Sequence, residues 1–201
     1  LLACQKINQK NIRQIIWKIR AKKVVLATGS IERFITFDNN DRPGIMLTNS
    51  ARKYFNYYQS DIGKKIVIFT NNDFAYRTAV DLHHENIEVQ AIIDVRKDSN
   101  GSHVKQAKSY GLKIFFNHAV INTEGRKKIN SVIISEFDEK FEKIIGKPKK
   151  LSCDLLCVSG GWTPTVHLFS QSRGKLIYRE SDATFIPHKS FQEEISIGAC
   201  N

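Results

Sequence analysis

An α/β fold built on parallel strands is predicted by three observations. Residues 66–69 form a short apolar run rich in β-branched side chains, as in a strand buried on both faces. Asn71, Asn72 and Asp73 follow as turn and helix-start residues, and from Ala75 the apolar positions Ala75, Ala79 and Leu82 recur at helical spacing. A second apolar run, residues 88–93, closes on the acidic residue Asp94. Strand, tight turn, helix and strand in that order make a β-α-β unit, whose crossover helix leaves its two strands parallel.

The other elements follow in chain order. Residues 12–29 read as two strands joined by a turn at 21–23, the second ending in Val24-Val-Leu-Ala-Thr-Gly29, where Gly29 permits a close backbone approach. Arg42, Pro43 and Gly44 signal a turn. Residues 50–58 read as a helix with Ser50 as its N-cap. After the central unit come a loop at 98–101, a short helix at 102–110 and a strand at 112–116, with 118–122 extending it after a bend. Strands follow at 129–137, at 142–151 as a polar hairpin return, and at 154–159, which runs into Gly160 and Gly161. Residues 162–164 read as a turn, 166–171 as a helix, 175–178 with 184–186 as a small hairpin, and 195–198 as the last strand.

The turn after residue 69 is the most informative stretch. A β-α-β unit whose second strand ends on an acid has the layout of a dinucleotide-binding Rossmann unit. Set in the G-x-G-x-x-G/A register, Thr70 and Asn72 stand at the first two glycine places and only Ala75 is acceptable at the third. Asn72 puts a side chain where pyrophosphate needs bare backbone, and Asp73 puts a negative charge at a helix N-terminus that would otherwise favour phosphate. Two readings stay open on these residues alone: a Rossmann unit with a damaged nucleotide site, or an ordinary α/β unit that never held one.

Composition narrows the classes. The 201 residues suffice for one large domain or two small ones, and 41% hydrophobic with 10% aromatic residues is the composition of a globular core. No apolar run approaches the ~20 residues of a membrane span, and residues 1–11 turn polar too soon for a secretory leader. The chain starts without Met and stops abruptly, and so reads as a piece of a longer protein. The net charge of +11 is spread, with its densest runs at 126–128 and 147–150, both in expected loops; that suits a solvated surface or an acidic partner subunit better than nucleic acid. Cys4, Cys153, Cys157 and Cys200 make no C-x-x-C. Cys153 and Cys157 are expected about 13 Å apart on one face of a strand, unable to pair, as free thiols of a reducing cytoplasm. His83 and His84 read as a solvated helix face and His167 as a packing residue. No catalytic set and no metal cluster emerges, so no catalytic or metal-binding residue is expected here.

Three strand ends form a pattern: Val24 to Gly29, Asp154 through Gly160-Gly-Trp-Thr-Pro164, and Ile195-Ser-Ile-Gly-Ala199. This resembles the two-dinucleotide-domain family of pyridine nucleotide-disulfide oxidoreductases, in which a second Rossmann domain interrupts the first after an A-T-G strand end. Four stretches resemble most closely the alpha subunits of heterotetrameric sarcosine oxidases. They are Ala27-Thr-Gly-Ser-Ile-Glu-Arg33, Asn39-Asn-Asp-Arg-Pro-Gly-Ile-Met46, Phe69-Thr-Asn-Asn-Asp-Phe-Ala-Tyr-Arg77 and the run from Ser159 to Gln171. Phe34 departs from the Pro usual there, and Ala199-Cys-Asn201 replaces the Gly-Asp that holds a flavin ribityl chain in disulfide reductases.

The resemblance implies a Rossmann-like FAD/NAD(P)-binding fold: residues 1–62 and 151–201 as the remainder of a first dinucleotide domain, and 63–150 as the inserted second one. It implies NAD in the first domain, bordered by Ala27, Thr28 and Gly29 and, beside the same ligand, by Gly198, Ala199 and Asn201. Gly160, Gly161 and Trp162 would make the crossover between domains. It implies FAD and FMN mainly on a partner subunit, tetrahydrofolate in a downstream domain, and a cytoplasmic hetero-oligomer with neither nucleic acid nor membrane as partner. The expected activity is oxidative demethylation of sarcosine to glycine, formaldehyde (or methylene-tetrahydrofolate) and hydrogen peroxide, with this stretch lacking the catalytic residues. The alternatives are a subunit of a related amine, opine or proline dehydrogenase, and a freestanding NAD(P)H-dependent flavin reductase, which would need an open glycine loop and a dithiol.

Overall fold

The computed structural model describes residues 1–9, 12–138, 140 and 142–201. The chain forms two compact units, residues 1–31 with 163–201, and residues 32–162.

The larger unit is built on a five-stranded, wholly parallel sheet. Its strands lie side by side in the order Ile45–Leu47, Leu155–Ser159, Lys65–Thr70, Glu88–Asp94, Ile114–Phe116. The expected β-α-β unit is its centre, and Ile66, Val67, Ile68 and Phe69 are buried as the apolar run requires. Burial on both faces follows from what covers them. Helices Thr48–Asn56, Phe74–His84 and Ser102–Ser109 pack one face, where Ile66, Ile68 and Ile92 meet Tyr76, Ala79, Leu82 and Val104. An antiparallel sheet of His118–Glu124, Ser131–Phe137 and Ile144–Ser152 contributes to the other face, where Val67, Phe69 and Ile93 meet Val120, Val132 and Ile134. The edge strand Ile144–Ser152 is exposed and carries Lys147, Pro148, Lys149 and Lys150, residues that discourage further pairing.

The boundaries of these units fall elsewhere than at residues 62/63 and 150/151. Residues 45–47 pair in parallel with 156–158, so the segments before 63 and after 150 supply the larger unit with two strands and a helix. That pairing spans more than a hundred residues, and no local pattern announces it.

In the smaller unit, Leu2–Gln9 pairs antiparallel with Ile12–Lys18, a strand pairing that the polar start concealed. Val24–Leu26 pairs in parallel with Glu194–Ser196, so the two expected strand ends do meet. Lys175–Arg179 and Thr184–Lys189 form the expected hairpin.

Three local expectations change. The first helix begins at Thr48, and Ser50 lies inside it; the Asn49 N–H is accepted by the Glu32 carboxylate at 2.9 Å, from a residue no nearby motif marks. Cys153 precedes its strand and packs with Val67 and Phe69, whereas Cys157 packs with Ile66 and Ile68 against the helices, so the two thiols serve different faces. His167 is exposed instead of packed.

Candidate functional site

The turn Thr70–Ala75 is closed by its own side chains. Asn72 sets the arrangement: its Nδ2 donates to the Ser159 carbonyl (3.2 Å) and hydroxyl (3.0 Å), its Oδ1 accepts the Phe74 N–H (3.1 Å), and its own N–H donates to Thr70 Oγ1 (3.0 Å). Asn71 is held likewise, donating to the Gly160 carbonyl at 3.3 Å. One of the helix's first N–H groups therefore already has a side-chain acceptor where a phosphate would compete.

Asp73 does not cap the helix through its carboxylate, contrary to the simplest reading of its position. The carboxylate turns sideways, accepting from Ser99 Oγ at 2.8 Å and pairing with Arg96 Nη2 at 2.8 Å. Burial pushes this carboxyl up, but the Ser99 and Arg96 hydrogen bonds and the Arg96 charge outweigh it and hold it below its ordinary value. Gly101 sits so close that a Cβ there would clash with the Asp73 carboxylate.

Asp94, the acid that closes the second strand, is fully buried and committed inward. It accepts from Tyr76 OH (2.8 Å) and, in a two-pronged pair, from Arg96 Nε (3.0 Å) and Nη2 (2.7 Å), with the Arg96 N–H adding a third bond at 3.0 Å. Burial and the adjacent carboxylate push the Tyr76 phenol well above its ordinary value. Burial works against the Arg96 charge, yet Asp94 and Asp73 together raise its pKa. One guanidinium thus links Asp73, at the phosphate end of the turn, to Asp94, the acid that a nucleotide's ribose would need free. Arg96 is the residue that sequence reasoning missed. Its signal was available, an arginine two residues beyond the strand-ending acid.

The strand ends of the smaller unit are built differently. Gly29 has φ +72° and Gly198 φ +69°, and a Cβ at either would meet nothing within 4 Å. Ala27 and Thr28 are exposed, as are Gly198, Ala199 and Asn201. Thr28 Oγ1 donates to the Thr165 carbonyl at 2.6 Å, and the Ile197 N–H donates to the Leu26 carbonyl at 2.9 Å, which ties the two strand ends together. The buried Cys200 thiol lies between the Leu26 and Ile197 carbonyls, at 3.1 and 3.0 Å. Burial opposes ionisation, but hydrogen bonds from the Thr28 hydroxyl and nearby backbone lower its pKa. In the larger unit, Gly160 and Gly161 exchange backbone hydrogen bonds with Arg33, as suits a crossover.

The fold is α/β and Rossmann-like, and solved oxidoreductase structures share it. The chain aligns over its full length with 66% of the T. acidophilum thioredoxin reductase structure, at a TM-score of 0.71 and 16% identity. It aligns over 99% of its length with 36% of L-proline dehydrogenase from P. horikoshii, at a TM-score of 0.56 and 20% identity. In sequence, the chain is similar to the sarcosine oxidase alpha subunit. It is 40% identical over 189 residues to that of Corynebacterium sp. strain P-1, and 31% identical over 185 residues to that of Rhizobium meliloti strain 1021. These matches take in 93% and 92% of the chain, which spans about a fifth of the length of these curated relatives. No family model matches the chain.

Proposed function

We propose that this chain is part of the NAD-binding region of a sarcosine oxidase alpha subunit-like protein. The complex around it would demethylate sarcosine with dioxygen and water, giving glycine, formaldehyde (or methylene-tetrahydrofolate when the folate is present) and hydrogen peroxide. In this reading NAD is held in the domain to which residues 1–31 and 163–201 belong. Ala27, Thr28, Gly29, Gly198, Ala199 and Asn201 border it. The bound FAD and FMN, carried mainly by a partner subunit, supply the redox chemistry. This chain supplies backbone for binding and orientation, and the larger unit acts as scaffold.

The observation that carries the reading is the contrast between the two kinds of strand end. The self-bonded Thr70–Ala75 turn leaves no approach for a pyrophosphate, while Gly29 and Gly198 offer left-handed backbone with open space beside it. The smaller unit also looks like part of something larger. Parallel sheets are normally covered on both faces, yet Val25 is 60% and Ile195 57% exposed on its parallel pair. The same turn counts against a freestanding flavin reductase, and Cys153 and Cys157 pack into different clusters and so do not form a dithiol. A cytoplasmic location goes with this reading; among the described residues no helix is long and apolar enough to cross a membrane.

The test is the full-length protein co-produced with its partner subunits. Nucleotide released on denaturation should include NAD, and sarcosine should drive peroxide formation. Gly29→Val should lose the NAD. Unchanged NAD content in that variant, or no turnover of sarcosine, would overturn the assignment.

A further inference from the structure

The larger unit holds a cavity of about 150 Å³ between the start of helix Thr48–Asn56 and the start of helix Phe74–His84. At roughly 30 Å³ of liquid volume per water, it has room for about five waters, or for one small organic molecule but no dinucleotide. Two residues of its wall each carry a buried polar atom without a partner. Thr48 is 1% exposed and its Oγ1 makes no hydrogen bond among the described residues, and the same holds for the buried Trp162 Nε1. Such orphans are uncommon in buried positions, and each costs free energy unless a ligand or water answers it.

The character of the wall narrows the ligand. Trp162 Nε1–H can only donate, and the Thr48 hydroxyl can donate. Arg77 adds a guanidinium that takes no ion pair among the described residues, whereas the neighbouring Arg52 is already held by Asp81 at 2.6 Å. The one acid in the wall, Glu32, has its own partners in the Asn49 N–H and the Ser159 hydroxyl. Burial raises its pKa, and those two hydrogen bonds only partly offset the rise. Phe74 and Trp162, edge to face with centroids 5.9 Å apart, give the remaining wall an apolar surface.

We propose that this cavity binds a small monocarboxylate, its carboxylate against Arg77, Trp162 Nε1 and Thr48 Oγ1 and its short apolar tail against Phe74 and Trp162. The proposal stands apart from the oxidase reading, since it involves neither NAD nor the smaller unit. A planar, bidentate guanidinium suits a carboxylate, and the aromatic wall disfavours a fully solvated tetrahedral anion.

The test uses the full 201-residue chain in a Trp17→Phe background, which leaves Trp162 as the sole indole. Sodium propionate is titrated while Trp162 emission is followed, with sodium chloride and inorganic phosphate at matched ionic strength as the other arms. The expected result is a saturable change with propionate alone. Arg77→Gln, at an exposed position that leaves folding intact by circular dichroism, should raise the midpoint about tenfold or more, and Thr48→Val should raise it by a smaller factor. No saturable change, an equal response to chloride or phosphate, or an Arg77→Gln variant that titrates like its parent would each overturn the proposal.

Discussion

The Thr70–Ala75 turn is filled with its own side chains, whereas the strand ends at Gly29 and Gly198 present bare left-handed backbone. Both occur where a parallel strand gives way to a turn, the place in α/β folds where ligands gather. In the larger unit, Asn72 reaches the neighbouring strand's Ser159 and Arg96 bridges Asp73 to Asp94. In the smaller unit, the same positions carry glycine and small or polar residues with space around them. The difference teaches that a β-α-β unit can hold its architecture while the turn at its strand end is closed by the chain's own side chains. The sheet asks only for buried apolar strands, while the site asks for glycine, open N–H groups and an uncommitted acid.

The largest effect is expected at the buried end of the filled turn. Asp94→Ala leaves the Arg96 guanidinium and the Tyr76 hydroxyl without their acceptor in the interior, and should destabilise the protein by about 3–5 kcal/mol in urea unfolding. A loss below about 1 kcal/mol would mean that the Asp94–Arg96–Tyr76 cluster does not hold the turn closed.

At the open strand ends the expected cost is smaller and purely conformational. Gly198→Ala meets no neighbour, so it should cost about 1–2 kcal/mol from the left-handed backbone alone. A neutral substitution would show that this backbone relaxes freely, and the contrast with the rigid turn would lose its basis.

The smallest effect is expected at Asp73. Its folded pKa lies below its unfolded one, so its stabilising contribution is present above the unfolded value near 3.9 and fades as pH falls through the folded value. Asp73→Asn should therefore lower stability near neutral pH by no more than about 1 kcal/mol, since the pair is part-exposed. The two proteins should converge as acid protonates the native carboxylate. A gap that stays constant down to acid pH would assign the effect to packing instead of charge.

How much of this was legible depended on range. The strands at 66–69 and 88–93 and the loss of glycine at Thr70 and Asn72 were readable because periodicity and residue type are local. The resemblance to two-domain oxidoreductases came through short runs at strand ends, such as Ala27-Thr-Gly29. The unit boundaries were not legible, because residues 45–47 find residues 156–158 only in the folded chain. Nor was the capping role of Glu32, which answers the Asn49 N–H from 17 residues away. For Asp73 the sequence showed a helix-start acid, and only the fold showed the carboxylate diverted to Ser99 and Arg96. The six positions expected to border NAD were brought near one another by the pairing of 24–26 with 194–196, a contact that the shared strand-end pattern implied.

Amide resonances report directly on whether the Thr70–Ala75 turn refuses a nucleotide. The ¹⁵N-labelled chain would be titrated with NADH and with NADPH to about 1 mM, a thousandfold above a micromolar Kd, while the amides of residues 70–75 and 95–99 are followed. The expected result is no saturable shift at these amides with either nucleotide. A saturable shift centred on Asn72, Asp73 and Arg96 with a micromolar midpoint would contradict the account and return the larger unit to the nucleotide-binding proteins.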